Sequence, residues 1–416
     1  MRYKVLKILG CFYITIGLVC NQWVIAWLFA PDGRITEANS KIIIGLFEVL
    51  MIVLGAITLK KNKTEFAVNL NLLVWTLAVI TPLLGEMTFR AGIALNIKQF
   101  REPALYADYF SDDDYWKFRW DWKENYGDTL LPLKRLHPLL GWTQANLTED
   151  NPLGLQEDVT KQLEPTTPKI LFYGDSFVKG VSDKQFEIQR YMSHKIDGFD
   201  VLDLSVGGYG VDQIYLMFKE TYKKALNPAD LILIGILPND DLDRVVLSIR
   251  TSQKPYFVLD TAGNLQLKGI PIAKDQKEYF RNYSLSIKSY LFAFMKRKFL
   301  EGRINKADRK KQITFRLLEL FKANAENAKV KLMFVIFYGK NSLTETDWQE
   351  KYLKEKLDQI SVPHIDTKAF LLNYAKENRR ELSVLYKQGD GHHNNLGNQV
   401  IAEGIVKYLK GHNFIE

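Results

Sequence analysis

Apolar residues crowd the N-terminal part of this chain, and short apolar runs alternate with amphipathic ones in the rest. Ile8 to Ala30 contains no charged residue and is long enough to cross the roughly 30 Å hydrocarbon core of a bilayer as a helix. Ile42 to Leu59 reads as a second span, interrupted only by Glu48, and Phe66 to Leu84 as a third, with Asn69, Asn71 and Pro82 inside it. A cleaved leader fits the first stretch poorly, because a convincing small-residue cleavage site is lacking and two further spans follow. Glu48 is costly against lipid and is expected to face another helix, with Asn69 or Asn71 as partner.

After Pro168 the pattern changes. Lys169 to Tyr173, Val201 to Leu204, Leu231 to Ile236, Lys331 to Phe337 and Val362 to Ile365 read as strands. Between and after them, Asp183 to Ile196, Asp212 to Lys224, Ile313 to Ala328 and the segment beyond Leu396 read as helices. Strands alternating with helices imply an α/β fold whose parallel sheet is covered on both faces. Val245 to Ile272, with Gly263 and Gly269, reads as an inserted hairpin. The expected organisation is a transmembrane anchor of three helices over 1–86, a connecting region over 87–167, and a catalytic domain over 168–416 with an insertion around 245–311. Asp112-Asp113-Asp114-Tyr115-Trp116, Trp120 and Trp122 lie in the connecting region, read as a loop or helix start that packs its tryptophans on the domain.

Charge then sets direction. Arg2, Lys4 and Lys7 precede the first span and Lys60, Lys61 and Lys63 separate the second from the third, whereas Arg34 and Lys41 alone lie between the first two. The positive-inside rule puts the N-terminus and the Lys60 loop in the cytoplasm, and three crossings then send everything after about Gly85 outside. The formal charge of +8 is spread out, so nucleic acid is a poor partner. The basic run Lys296-Arg297-Lys298 through Arg309-Lys310-Lys311 reads as a solvated helix face beside a loop, with anionic headgroups or an acidic glycan as the sharper alternative. Cys11 and Cys20 share one helix and cannot bridge, which leaves the outer domain without cysteine.

Four segments at strand ends could carry chemistry. Gly174-Asp175-Ser176 presents a hydroxyl directly after a buried strand. Gly207-Gly208-Tyr209-Gly210 can turn backbone N–H groups into a site, or serve equally as a plain strand-to-helix turn. Asn239-Asp240 offers an amide donor or a helix cap. Asp390-Gly391-His392-His393-Asn394-Asn395-Leu396-Gly397 places Asp390 and His392 two apart, on one side of an extended segment. His194, His364 and His137 carry no such company, and no cluster has metal-ligand spacing.

Ser, Gly, Asn and an Asp-His pair, arriving in that order at successive strand ends, resemble the SGNH (GDSL) hydrolase family over roughly Lys169 to Leu409. Gly207-Gly208-Tyr209-Gly210-Val211-Asp212-Gln213 and Pro238-Asn239-Asp240-Asp241 look like the versions in membrane-linked bacterial members. The resemblance implies a three-layer fold, a parallel sheet flanked by helices, with Ser176 as nucleophile. It implies an oxyanion hole from the N–H groups of Ser176 and Gly208 and the Asn239 side chain. His392 is implied as general base and Asp390 as its orienting acid. Many members place His three residues after Asp, which would select His393. Asp390, His392, Asn394 and Gly397 instead fit the Asp-x-His-x-Asn form, with glycine three residues beyond, that is similar to alginate O-acetylation proteins.

These readings lead to a serine-dependent ester hydrolase outside the cytoplasm, using no cofactor and acting on an acylated envelope glycan or lipid. An O-acyltransferase in polysaccharide modification, and a catalytically silent binding module, are the alternatives. Bilayer lipid and envelope-assembly proteins are the expected partners.

Overall fold

Polar side chains decide where the N-terminal helices break. The computed structural model describes residues 2–29, 38–122, 135–163, 167–224, 230–250, 252–299 and 307–415. Its first apolar stretch is not one helix but two, α1 (Arg2–Val19) and α2 (Gln22–Phe29). Asn21 Oδ1 accepts from the N–H groups of Trp23 at 2.9 Å and Val24 at 3.0 Å, and its Nδ2 donates to the Leu18 carbonyl. An asparagine that caps a new helix start also ends the previous one. The expected three spans are corrected accordingly. Among the described residues two helices are long and apolar enough to cross a membrane: Lys41–Lys60, within α3 (Ala38–Lys60), and α4 (Glu65–Ala94).

Glycine lets α1 lie tightly along α3. A Cβ on Gly10 would come within 2.6 Å of Leu59 Cγ, and one on Gly55 within 2.7 Å of the Gly10 carbonyl oxygen. Small residues at such a seam allow the close backbone approach favoured between helices in lipid. Asn71 is buried, but its amide donates to Thr58 Oγ1 at 3.1 Å; it is not the partner of Glu48. The loop holding Arg34 lies outside the described residues.

Chain contacts divide the protein into two units, Met1–Asp108 with Leu285–Lys306, and Tyr109–Ser284 with Ala307–Glu416. This departs from the expected boundaries in two places. Residues from Tyr109 onward belong with the second unit, because Leu140, Trp142, Leu153, Leu155 and Val159 join its apolar core. Conversely, Leu285–Lys306 leaves the expected insertion and groups with the first unit. The helix Asp113–Asp121 buries Trp116 and Trp120, and Asp113 accepts hydrogen bonds from Ser248 N and Oγ, both at 2.6 Å.

In the second unit, five runs form one parallel sheet: β1 (Lys169–Tyr173), β2 (Asp200–Asp203), β3 (Leu231–Ile236), β4 (Lys331–Ile336) and β5 (His364–Asp366), in spatial order β2-β1-β3-β4-β5. Ile170 pairs with both Val201 and Leu231, and Leu231 with Lys331. Every residue of β1 and β3 is buried, as the unbroken apolar runs require of strands covered on both faces. Helices α5 (Ser176–Lys179), α6 (Val211–Thr221), α7 (Pro238–Arg244), α8 (Ala307–Ala328), α9 (Trp348–Gln359), α10 (Thr367–Glu377) and α11 (Asn395–Gly411) follow the strands. Contacts among α6, α7, α8 and α9 build one layer; α10, α11 and the helix Ile188–Ser193 build the other. Strand order reverses between β1 and β3, and the crevice at such a reversal, beyond the strands' carboxyl ends, is where α/β sheets bind ligands.

Three local expectations shift. The helix expected over Asp183 to Ile196 is a short turn, Lys184–Phe186, and then Ile188–Ser193, because Glu187 adopts extended backbone between them. α8 begins at Ala307 rather than Ile313, and α9 and α10 were not expected. The hairpin pairs Tyr256–Leu259 with Leu265–Lys268, and Asp260 Oδ1 accepts from Ala262 N and Asn264 N at its turn.

Candidate active site

Ser176 owes its position to the turn that ends β1. Asp175 accepts the Phe177 N–H at 2.8 Å and so caps α5, which makes Ser176 the first helical residue. Its Oγ lies 2.8 Å from His392 Nε2, and His392 Nδ1 lies 2.6 Å from Asp390 Oδ1. A carboxylate at Nδ1 requires the proton there, which leaves the lone pair of Nε2 facing the hydroxyl. The Phe177 ring stacks on the imidazole, with centroids 4.7 Å apart.

Backbone pairing holds the imidazole. Lys387 N–H donates to the His392 carbonyl at 2.8 Å, and Asn394 N–H to the Leu385 carbonyl at 3.0 Å. Asn394 then caps α11 by accepting the Gly397 N–H at 3.0 Å. The Asn and Gly of the last motif are thus structural: they fix where α11 starts and so where His392 points. His393 faces the other way and is buried among Phe177, Phe337 and Tyr386. Burial pushes its imidazole down to about 3, so it stays neutral.

The glycine and asparagine motifs meet the same space. Gly208 has φ +85°, a conformation that favours glycine, and a Cβ on Gly207 would lie 3.7 Å from Ser176 Cβ. Trp142 Nε1 donates to the Gly207 carbonyl at 3.0 Å and Arg250 to the Gly208 carbonyl at 3.1 Å. Both peptide planes are thereby pinned. Asn239, in the first turn of α7, donates from Nδ2 to Ser342 Oγ at 3.0 Å. An amide nitrogen carries two hydrogens, so one orients the group and the other is left for a ligand. Ser176, Gly208, Asn239, Asp390 and His392 all line one cavity of about 1070 Å³.

Arg244 was not singled out by sequence reasoning, yet it joins three of the four motifs. Its guanidinium, buried, donates to Asp175 at 3.2 Å, to the Tyr209 carbonyl at 2.5 Å, to Asp241 at 2.8 Å and to Asp240. Each acceptor is a sequence neighbour of Ser176 or Gly208, or lies one or two residues after Asn239. Burial raises Asp240, but Arg244 and Arg250 outweigh it and hold that carboxyl below its ordinary range. Burial and the adjacent Asp175 push Asp241 well up. Trp142 and Ser342 were missed as well. A signal for Trp142 lies in His137-Pro138-Leu139-Leu140-Gly141-Trp142: His137 Nδ1 accepts from Leu139 N and Leu140 N, both at 3.1 Å, and folds the turn that delivers the indole. His364 sits on β5 and His194 ends the helix Ile188–Ser193, both away from the cavity lining.

Chemically, a hydroxyl beside a carboxylate-backed imidazole, with pinned backbone and one amide nearby, can attack a carbonyl and hold the resulting oxyanion.

No family model matches the chain, and no curated protein matches it. Solved structures are similar to it. One is a member of the lipolytic protein G-D-S-L family from Veillonella parvula: 12% identity, 58% of this chain and 98% of that one covered, TM-score 0.35. Another is a two-domain esterase active on acetylated mannans: 11% identity, 62% and 52% covered, TM-score 0.36. A third is a lipase/acylhydrolase from Enterococcus faecalis: 13% identity, 59% and 96% covered, TM-score 0.33. A Bacillus subtilis protein is matched over 57% of its own length and the two-domain esterase over about half of its length.

Proposed function

We propose that this chain is an SGNH-type serine hydrolase that cleaves acyl or acetyl esters of a cell-envelope glycan or lipid outside the cytoplasm. The observation that carries the reading is the relay of Ser176 Oγ, His392 and Asp390, with gaps of 2.8 Å and 2.6 Å. Attack by Ser176 passes its proton to His392 Nε2, while Asp390 stabilises the imidazolium. The carbonyl oxygen becomes an oxyanion facing the N–H groups of Ser176 and Gly208 and the Asn239 amide. Losing one such donor costs about 3 kcal/mol of barrier. Collapse expels the alcohol, which takes the proton from His392 and leaves an acyl group on Ser176. Water, deprotonated by the same imidazole, then releases the acid; a sugar hydroxyl in its place would give an acyltransferase.

The outer location is supported by α4 together with the lysines that precede it. Lys60, Lys61 and Lys63 mark the cytoplasmic side of the turn before it, and one crossing by α4 carries all later residues outside. The path of α1 and α2 does not alter that outcome.

The test is hydrolysis of an aryl acetate by the full chain. Activity lost in Ser176→Ala supports the reading, and transfer to an added sugar hydroxyl faster than hydrolysis would make the enzyme a transferase. Folded protein that no fluorophosphonate labels would instead be a silent binding module.

A further inference from the structure

About 20 helical residues cross a hydrocarbon core of roughly 30 Å. A helix entering at Glu65 therefore leaves at about Gly85, and the first charged residues beyond Glu65 in α4 are Glu86 and Arg90. A second helix, Tyr290–Phe299, is fixed at that level. Glu86 Oε2 accepts from Ser289 Oγ at 2.8 Å and from Leu291 N at 2.9 Å, and so caps it. Arg90 donates to the Lys288 carbonyl at 3.0 Å. Gly85 leaves room for Leu291, which would sit 2.9 Å from any added Cβ, and Phe89 packs on Phe294 with centroids 5.3 Å apart.

Among the described residues, the opposite face of this short helix has no such cover. Phe292 is 66% exposed and Met295 is 45% exposed, and residues three apart share a face. Lys298 follows three residues on and is also exposed. Leu83, Leu84 and Met87, where α4 reaches the same level, are exposed too. Lys310 and Lys311, further along the basic run, are engaged elsewhere: Lys310 pairs with Asp243 at 2.5 Å and Lys311 lies over Trp348.

We propose that Tyr290–Phe299 is an interfacial membrane anchor. Phe292 and Met295 sink into the outer acyl-chain boundary and Lys298 reaches an anionic lipid phosphate. Apolar side chains on one face and a snorkelling lysine beside them are what such a helix needs. The inference rests on the reading of α4 as a membrane span.

The experiment uses the full chain, with Cys11→Ser and Cys20→Ser, in vesicles of phosphatidylcholine with or without phosphatidylglycerol. A fluorophore is placed through Phe292→Cys, Met295→Cys or Leu77→Cys, the last in mid-α4. Lipids with nitroxide near the headgroup should quench positions 292 and 295 more than aqueous iodide does. Lys298→Gln should lower that quenching about twofold in phosphatidylglycerol vesicles only. Iodide quenching that dominates at 292 and 295 overturns the anchor in favour of solvent, and protection from both quenchers overturns it in favour of a protein cover. Position 77 should respond to nitroxide deep in the chains; if it does not, the membrane reading itself fails.

Discussion

The guanidinium of Arg244 donates to the Asp175 carboxylate at 3.2 Å, one residue before Ser176. That bond ties α7, which carries Asn239, to the turn that carries the candidate nucleophile. Removing Arg244 leaves carboxylates of Asp175 and Asp241 buried without their cation. Breaking a buried ion pair from one side costs about 3–5 kcal/mol. Arg244→Met should lower the denaturant midpoint of the solubilised chain by a corresponding amount. Arg244→Lys should recover only part, because one ammonium cannot reach four acceptors on three segments. An unchanged midpoint in Arg244→Met would remove Arg244 from its place at the centre of the site.

His392 and His393 are adjacent but sit in opposite environments. His392→Ala should reduce ester turnover at least as far as the background of Ser176→Ala, whereas His393→Ala should keep most of the turnover per folded molecule. The reverse outcome, measured with the same aryl acetate, would exchange their roles.

Acid stability should carry the mark of His393. Its folded-state value is about 3 and its ordinary value 6.5, so between these the unfolded chain binds a proton that the folded chain refuses. Stability therefore falls as pH drops through that window, by about 1.4 kcal/mol per pH unit from this group. Asp203, pushed up to about 6 by burial, works in the opposite sense, since the folded chain holds its proton where the unfolded chain has lost it. His393→Leu should flatten the acid loss seen in urea titrations, and Asp203→Asn should steepen it. Parallel profiles for wild type and His393→Leu would contradict the assignment.

Asn239 has one amide hydrogen committed to Ser342 and one left over. Asn239→Ala should lower kcat about 10²–10³-fold with little change in KM, as expected for a donor used only in the transition state. Ser342→Ala, which only frees the amide to rotate, should cost less. A change confined to KM would place Asn239 in ground-state binding instead.

Direction across the membrane can be read with a fusion after Glu416. Alkaline phosphatase fused there should be active and a fluorescent protein that matures only in the cytoplasm should stay dark. The opposite pattern would overturn the orientation taken from Lys60, Lys61 and Lys63.

Much of this architecture is legible in the chain because burial on both faces forces long apolar runs: Lys169 to Tyr173 and Leu231 to Ile236 are strands with the expected ends. What escapes is whatever depends on distant partners. The break at Asn21 is one asparagine choosing a cap over a continuous helix. Asn71 finds Thr58 rather than Glu48 because helix rotation, not composition, decides which groups meet. Trp142 and Arg244 look like ordinary core and surface residues until the fold brings Gly207, Asp175 and Asp241 to them. The four strand-end motifs were visible because each is local, and the sheet then carries them into one cavity.

Covalent capture at residue 176 bears most directly on the central claim. Incubating the folded full-length chain with a fluorophosphonate and mapping the adduct by mass spectrometry should find it on Ser176 in wild type, greatly slowed in His392→Ala and absent in Ser176→Ala. Aryl acetate hydrolysis should disappear in step with labelling. Hydrolysis that persists in Ser176→Ala, or an adduct at another serine, would contradict the account.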